Sequence, residues 1–174
     1  DSVTLAKYSG SELDLTKVVI SFEADVTGTA QAENYSPEPA TLNLELSATL
    51  DLDSGLITLN PSDSTTFNAT GYDGGTLWGG TSGVTDTGLT GSSSDFVTIT
   101  SGLASYAGGG TFTMDVDATG LSSATGSGSM ASLFETYAGA TVSVAYYGAA
   151  VPEPATMLLL GTGLVGLAGL GRKR

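Results

Sequence analysis

Alternation of apolar and polar residues dominates four stretches of the chain, 18–27, 41–52, 111–119 and 142–147, with Val19, Ala145 and Tyr147 as exceptions at polar positions. In 41–52 every second residue is Leu or Ala, and Thr, Asn, Glu, Ser and Asp fill the positions between. A period of two places one set of side chains on each face of a β-strand, and no 3.6-residue helical period fits 41–52. The four stretches are therefore predicted to be strands that bury one face against a shared core.

Shorter runs of apolar and β-branched residues predict further strands at Val3–Tyr8, Leu56–Leu59, Thr65–Tyr72, Phe96–Thr100 and Met130–Thr136. Segments rich in Gly, Asp and Ser separate these runs, and one of them, Asp53-Ser54-Gly55, predicts a hairpin. No helix is predicted before residue 155. Eight to ten short strands joined in this way predict an all-β fold, an antiparallel β-sandwich, with a closed barrel as the alternative.

The chain of 174 residues contains neither Cys nor His. Their absence excludes disulfides, thiolate or imidazole catalysis and Cys/His metal centres. A glycosidase needs two carboxylates across a cleft, which nothing in the sequence indicates, and a serine hydrolase would depend on Lys7 or Lys17 as its base. We predict that the protein is not an enzyme and needs no cofactor, with calcium as the alternative.

Acidic residues greatly outnumber basic ones before the C-terminal segment. Residues 1–150 contain two Lys and 17 Asp or Glu, a formal charge of −15. Such a surface repels nucleic acid and anionic membranes, so no nucleic-acid partner is expected. The charge is interpreted mainly as a source of solubility, with weak binding of divalent cations as the alternative.

Three distinct segments follow one another at the end of the chain. Val151-Pro152-Glu153-Pro154 precedes an uncharged run at 155–171, and Arg172, Lys173 and Arg174 come last. A 17-residue helix would be about 25 Å long, the lower limit for crossing a bilayer core, and a basic cluster after such a run stays cytoplasmic. We predict an exported domain at 1–150 and a tail at 151–174 that holds a C-terminal hydrophobic, transmembrane helix stopped by the basic cluster.

The order of these segments resembles the PEP-CTERM sorting signal of Gram-negative bacteria, with Pro152, Glu153 and Pro154 as its motif. The resemblance implies export through the inner membrane, transient membrane retention through 155–171, and recognition by exosortase. It also implies that the tail is then cleaved and the domain is released or attached to the cell surface. A permanent C-terminal anchor is the alternative. A chain that begins at Asp1 is expected for a product whose secretion signal has been removed.

The domain itself is similar to the "choice-of-anchor E" domain of exported bacterial proteins. The similarity is carried by DLTKVVISFEADVTGTAQAEN, ATLNLELSATLDL, FNATGYDGGTLWGGTSG, GTFTMDVDATGLSSATGSG and AGATVSVAYYG. It spans roughly residues 1–148. The resemblance implies an all-β exported module and brings no catalytic residues or ligand.

Two pairs of acidic residues are the weak candidates for a metal site. Asp51 and Asp53 flank a turn, and Asp115 and Asp117 share one face of a predicted strand. Calcium takes six to eight oxygen ligands, which two such pairs would supply in part, but no calcium-loop motif of the DxDxDG type is present. The alternative is that these residues solubilise the surface and guard strand edges.

Two aromatic residues, Tyr72 and Trp78, bracket the glycine-rich segment YDGGTLWGG and are the candidates for sugar contact. An exposed aromatic ring would stack on a sugar ring, whereas a buried one would close the end of the fold. Tyr146 and Tyr147 lie on opposite faces of the last predicted strand, so one of them is expected to be exposed.

These observations favour an exported cell-surface or extracellular-matrix structural protein that exosortase sorts. Its polar, Thr-rich strands and few lysines at strand edges suggest self-assembly into a filament. Exchange of the segment Ser2–Tyr8 between copies would build such a homopolymer. The alternative is a monomeric polysaccharide-binding module or adhesin, assisted by calcium.

Overall fold

The computed structural model describes residues 1–148, which we call the body. It contains nine β-strands and two short 3₁₀ turns, Glu12–Asp14 and Leu103–Tyr106. The strands are β1 (Ser2–Ala6), β2 (Leu15–Asn34), β3 (Ala40–Leu52), β4 (Ile57–Leu59), β5 (Ser62–Ala69), β6 (Gly83–Ile99), β7 (Thr111–Gly120), β8 (Ser123–Thr125) and β9 (Met130–Gly148).

The strands form two antiparallel sheets. The first has the order β6-β2-β9, and β2 pairs along its whole length with β9. The second is built around β3 in the order β1-β7-β3-β4, with β5 and β8 paired to the N-terminal half of β3. The all-β, antiparallel prediction is confirmed.

The core lies between β2 and β3, the central strands of the two sheets. On β2 the even-numbered residues from Val18 to Val26 are buried, and on β3 the even-numbered residues from Leu42 to Leu52 are buried. Phe22, Leu44 and Leu46 are completely inaccessible to solvent. Burying a side chain of this size contributes about 1.5–3 kcal/mol, so the alternating pattern in the sequence fixes which faces of the two sheets meet.

Three strands are longer than the sequence predicts. β2 continues to Asn34, β6 begins at Gly83 rather than near Phe96, and β9 joins two predicted strands. Small or polar residues fill the added parts. In β2 the added residues Ala30, Ala32, Glu33 and Asn34 are buried, whereas most added residues of β6 and β9 are partly or fully exposed. No alternation with large apolar residues therefore marks these segments in the sequence. A short strand, β8, also forms without a sequence signal, and β5 ends at Ala69, so Thr70, Gly71 and Tyr72 belong to a loop.

The two long sides of the body differ. On one side β6 meets β5: Asp63 Oδ2 accepts a hydrogen bond of 2.9 Å from the backbone N–H of Thr90. A Cβ atom at Gly91 would collide with the backbone of Ser62, so only glycine allows this close approach. On the other side the two sheets do not pair, and a cleft remains between β9 and β7.

The body has two ends, which we name the exit end and the tip. At the exit end Leu15 pairs with Gly148, after which the chain continues into residues 149–174. At the tip Asn34 pairs with Met130. The 20 residues of β2 connect the two ends and span about 60 Å at roughly 3.3 Å per residue.

The predicted boundary at residue 150 and the predicted hydrophobic helix lie outside the described residues. Within residues 1–148 no helix is long and apolar enough to cross a membrane.

Candidate functional site

The loop between β5 and β6, residues 70–82, forms the centre of the tip and contains both predicted sugar-contact residues. Asp73 organises this loop. Its carboxylate accepts hydrogen bonds from the backbone N–H groups of Gly75 and Thr81, both at 2.7 Å, and of Ser82 at 3.3 Å. The bonds from Thr81 and Gly75 stabilise the ionised form and lower the pKa of Asp73 to about 2.

A second carboxylate, Glu33, fixes the loop from below. Glu33 is only 1% exposed. Its Oε2 accepts a hydrogen bond of 2.7 Å from the backbone N–H of Trp78, and its Oε1 accepts one of 2.5 Å from Ser82 Oγ. A buried carboxylate without partners would be strongly unfavourable, so these two bonds tie the loop to the end of β2.

Asn34, the last residue of β2, joins two further chain segments at the tip. It is completely buried, and its Nδ2 donates to the carbonyl oxygens of Glu38 at 2.9 Å and Thr70 at 2.7 Å. Its Oδ1 accepts a hydrogen bond from the backbone N–H of Ser36. The polar atoms of these three side chains are hydrogen-bonded to other groups of the protein. Asp73, Glu33 and Asn34 therefore have structural roles in holding the loop.

Three apolar side chains at the tip are open to solvent. Tyr35 and Tyr72 are 38% and 45% exposed, and their ring centroids lie 5.1 Å apart in a tilted arrangement. Leu77 is 51% exposed. Trp78 is less exposed than these three residues, since it is half-buried, and its backbone has a positive φ of 64°. Its main role is therefore to shape the loop, and only part of its ring is accessible to a ligand. An exposed ring pair of this kind is able to stack on a sugar.

The sequence identified Tyr72 and Trp78 but missed the residues that accompany them. Tyr35 lies in another loop, and only the fold brings it to Tyr72. Glu33 continues the polar face of β2, so nothing in its spacing marks it as buried. Asp73 had a signal, because Asp before Gly-Gly is typical of a side chain that bonds its own turn.

Three of the four candidate calcium ligands lie on the neighbouring strands β3 and β7, and Asp53 lies in the turn after β3. Asp51 is directly opposite Asp117 in the β3–β7 pairing, and the backbone N–H of Asp53 donates to the carbonyl oxygen of Asp115. Asp51 Oδ1 accepts a hydrogen bond of 2.5 Å from Thr58 Oγ1. Among residues 1–148 no three acidic side chains converge as a metal site would require. Calcium binding stays a prediction.

The free edge of β9 is the second notable surface. Within the body β9 pairs only with β2, so its other edge is open over 19 residues. Glu135 is its single charged residue. The cleft beside this edge has a volume of about 550 Å³, and its apolar lining consists of Val3, Leu50, Val116, Ala118, Ala138, Ala140 and Val142.

Comparison with known families addresses the segment that follows β9. Residues 150–174 match the family profile described as the PEP-CTERM protein-sorting motif. The chain carries a PEP-CTERM sorting signal. This signal indicates recognition by exosortase and export to the cell envelope or surface via the membrane. Pro152, Glu153, Pro154 and the basic residues Arg172, Lys173 and Arg174 all lie within the matched segment, outside the residues that the structure describes.

No curated protein and no solved structure matches this chain. The similarity of residues 1–148 to the choice-of-anchor E domain stays a prediction.

Proposed function

We propose that this protein is a structural component of the cell surface or extracellular matrix that assembles into filaments after exosortase-dependent export. The observation that carries the proposal is the open edge of β9 beside an apolar cleft. An uncovered strand edge presents unpaired N–H and C=O groups to another chain. Natural β-proteins usually protect such edges with charges, Pro or bulges, and β9 has one charge, no Pro and no bulge within 130–147.

The opposite edge of the same sheet is protected, which makes β9 the preferred site for association. β6 is interrupted by an irregularity opposite Gly28 and Ala30 and carries two acidic residues, Asp86 and Asp95. It is also covered in part by β5, through the contact of Asp63 with Thr90.

β1 is the segment that we propose is exchanged between copies. It pairs with β7 over five residues, Ser2–Ala6, and Ser2 and Val3 line the same cleft that β9 borders. Release of so short a strand disrupts few backbone hydrogen bonds. A β1 strand from a neighbouring copy would pair with β9 and cover Ala138 and Ala140, which are exposed although they lie on the core-facing side of the sheet.

Because the chain has no Cys, a disulfide tests the exchange cleanly. Thr4 and Thr113 are exposed partners in the β1–β7 pairing, so the double variant Thr4→Cys/Thr113→Cys will lock β1 to its own β7. Negative-stain imaging and sedimentation of exported protein are expected to show filaments with reductant and monomers without it. Filaments under oxidising conditions would rule out exchange of β1.

A variant at the edge tests the role of β9 independently. Ala140→Lys places a charge in the cleft and is expected to abolish assembly, because Lys at an edge disfavours pairing. Thr98→Lys is the control, since Thr98 is exposed on β6. Monomeric wild-type protein at every concentration tested would contradict self-assembly altogether.

A second candidate function, polysaccharide binding by a monomeric adhesin, is favoured by the tip. Tyr35, Tyr72 and Leu77 form exposed apolar surface at the end about 60 Å from the exit of the chain, where a surface protein would meet its environment. A glycan array probed with and without chelator tests this candidate. Binding that Tyr72→Ala abolishes and that Tyr147→Ala preserves would support it, and no binding under either condition would remove it.

A further inference from the structure

The exit end of the body has a composition that differs from the rest of its surface. Residues 1–148 contain two Lys and 17 acidic residues, and both lysines lie at this end. Lys17 pairs with Tyr147 next to the last residue of β9. Lys7 follows β1, where its backbone N–H donates to Gly110, and the neighbouring Ala6 accepts a hydrogen bond of 2.6 Å from Tyr146 Oη.

The exit end also exposes apolar surface. Leu13 is 91% exposed, the highest value among the large apolar residues of the body. It lies in the 3₁₀ turn Glu12–Asp14, and the carbonyl oxygen of Asp14 is 3.0 Å from where a Cβ atom of Gly148 would stand. Tyr147 is 46% exposed, and Lys17 Nζ lies 4.3 Å from its ring centroid. Tyrosine with lysine beside it is typical of side chains at a membrane–water interface.

The lysines offset most of the acidic charge at this end. Glu12 and Asp14 in the 3₁₀ turn are the nearest carboxylates along the chain. Asp53 is a third, because burial and then the charge of Asp53 raise the pKa of Tyr106 in the second 3₁₀ turn. The other acidic residues are spread over the strand faces, the tip and the loops between. The exit end is therefore the part of the body with the lowest electrostatic cost of approach to a lipid surface.

The length of chain beyond the body limits the distance to the membrane. Three residues separate Gly148 from Pro152, and six separate it from Ala155, where the apolar run begins. At about 3.3–3.6 Å per residue, the apolar run begins at most about 25 Å from Gly148. This reach is less than half of the roughly 60 Å length of β2, so the tether keeps the exit end, and not the tip, beside the bilayer.

We propose that Leu13, Lys17 and Tyr147 form a membrane-contact surface that rests against the lipid bilayer while residues 155–171 are inserted, with the tip turned away. The partner is the lipid surface itself, and not exosortase or a second copy of the chain. In this pose β2 and β9 extend from the exit end away from the bilayer to the tip. The proposal rests on the export that the sorting signal indicates.

Site-directed fluorescence on the full chain in phosphatidylcholine vesicles tests this surface. The absence of Cys from the chain permits a single fluorophore at Leu13→Cys. Leu77→Cys is the matched control, because Leu77 is also an exposed leucine but lies at the tip. In vesicles with brominated acyl chains, the Leu13 label is expected to lose more than about half of its emission, since interfacial groups lie about 5–10 Å into the boundary, and the Leu77 label is expected to lose none.

Each other outcome overturns the proposal. Equal quenching of both labels would show that the body has no preferred orientation on the bilayer, and quenching of neither would show that the exit end does not contact lipid. If the emission of the Leu13 label changes only after exosortase is added, and not with vesicles alone, the surface would be assigned to contact with that enzyme. Protein that fails to float with the vesicles would overturn membrane insertion as well. The filament assays do not involve lipid, so failure there is distinguishable from failure of membrane contact.

Discussion

Replacement of Glu33 is the most direct way to test whether buried carboxylate bonds hold the tip together. Glu33→Gln keeps the size of the side chain but removes its charge. The amide oxygen still accepts from the Trp78 N–H, but the amide nitrogen has to donate to Ser82 Oγ, so both charge-assisted hydrogen bonds are lost. Hydrogen bonds to charged groups contribute about 1.5–3 kcal/mol each. We therefore expect Glu33→Gln to lower the free energy of unfolding by about 2–3 kcal/mol.

The assay uses Trp78 as a built-in reporter, because it is the only Trp in the chain. Urea unfolding of the full chain in mild detergent, followed by Trp emission and by far-UV circular dichroism, gives local and global stability separately. Gln31→Glu is the control, since Gln31 lies two residues earlier on the same strand face and bonds only to Thr85 Oγ1. Unchanged stability and unchanged Trp78 emission in Glu33→Gln would refute the proposed role of Glu33.

Three further predictions follow from single contacts. The pKa of Asp73 falls from 3.8 to about 2 on folding. The contribution of Asp73 to stability is therefore fully present above pH 3.8 and is lost as the pH falls through about 2. The emission of Trp78 is expected to report this loss, and Asp73→Asn is expected to abolish the pH dependence. Gly91→Ala should destabilise the body by about 1–3 kcal/mol because the new methyl group meets the Ser62 backbone, whereas Gly88→Ala, whose nearest neighbour is 3.8 Å away, should change it little in the same urea titration. Tyr146→Phe removes the hydrogen bond to Ala6 and should cost about 0.5–1.5 kcal/mol, with faster amide exchange of β1 as the readout; unchanged exchange would disprove that contact.

The strands with one buried face were predictable from the sequence. The alternating residues of 41–52 form β3 with every even-numbered side chain buried, as the pattern indicates. The same holds for the first half of β2. The extension of β2 to Asn34 and the continuity of β9 were not predictable, because residues such as Thr29 and Gly139 carry no alternation there. Their strand geometry is imposed by the pairing partner.

The site residues were predictable only in part, because contact at the tip depends on the fold. The glycine-rich loop directed attention to Tyr72 and Trp78, but Tyr35 and Glu33 come from other segments and reach the loop only when β2, β5 and β6 are assembled. Leu13 escaped notice because one leucine near the start of a strand has no periodic pattern. By contrast, the sorting signal is local in sequence and needs no fold to be recognised.

The central claim is that residues 150–174 direct an all-β body to the outside of the cell. Fractionation of an exosortase-bearing Gram-negative host, with intact-mass analysis of the recovered protein, tests it most directly. The account predicts that wild-type protein is found outside the inner membrane with its C-terminus near Pro152. The variant with Ala at Pro152, Glu153 and Pro154 is predicted to remain membrane-bound at full length. Wild-type protein that accumulates in the cytosol and still ends at Arg174 would contradict the account.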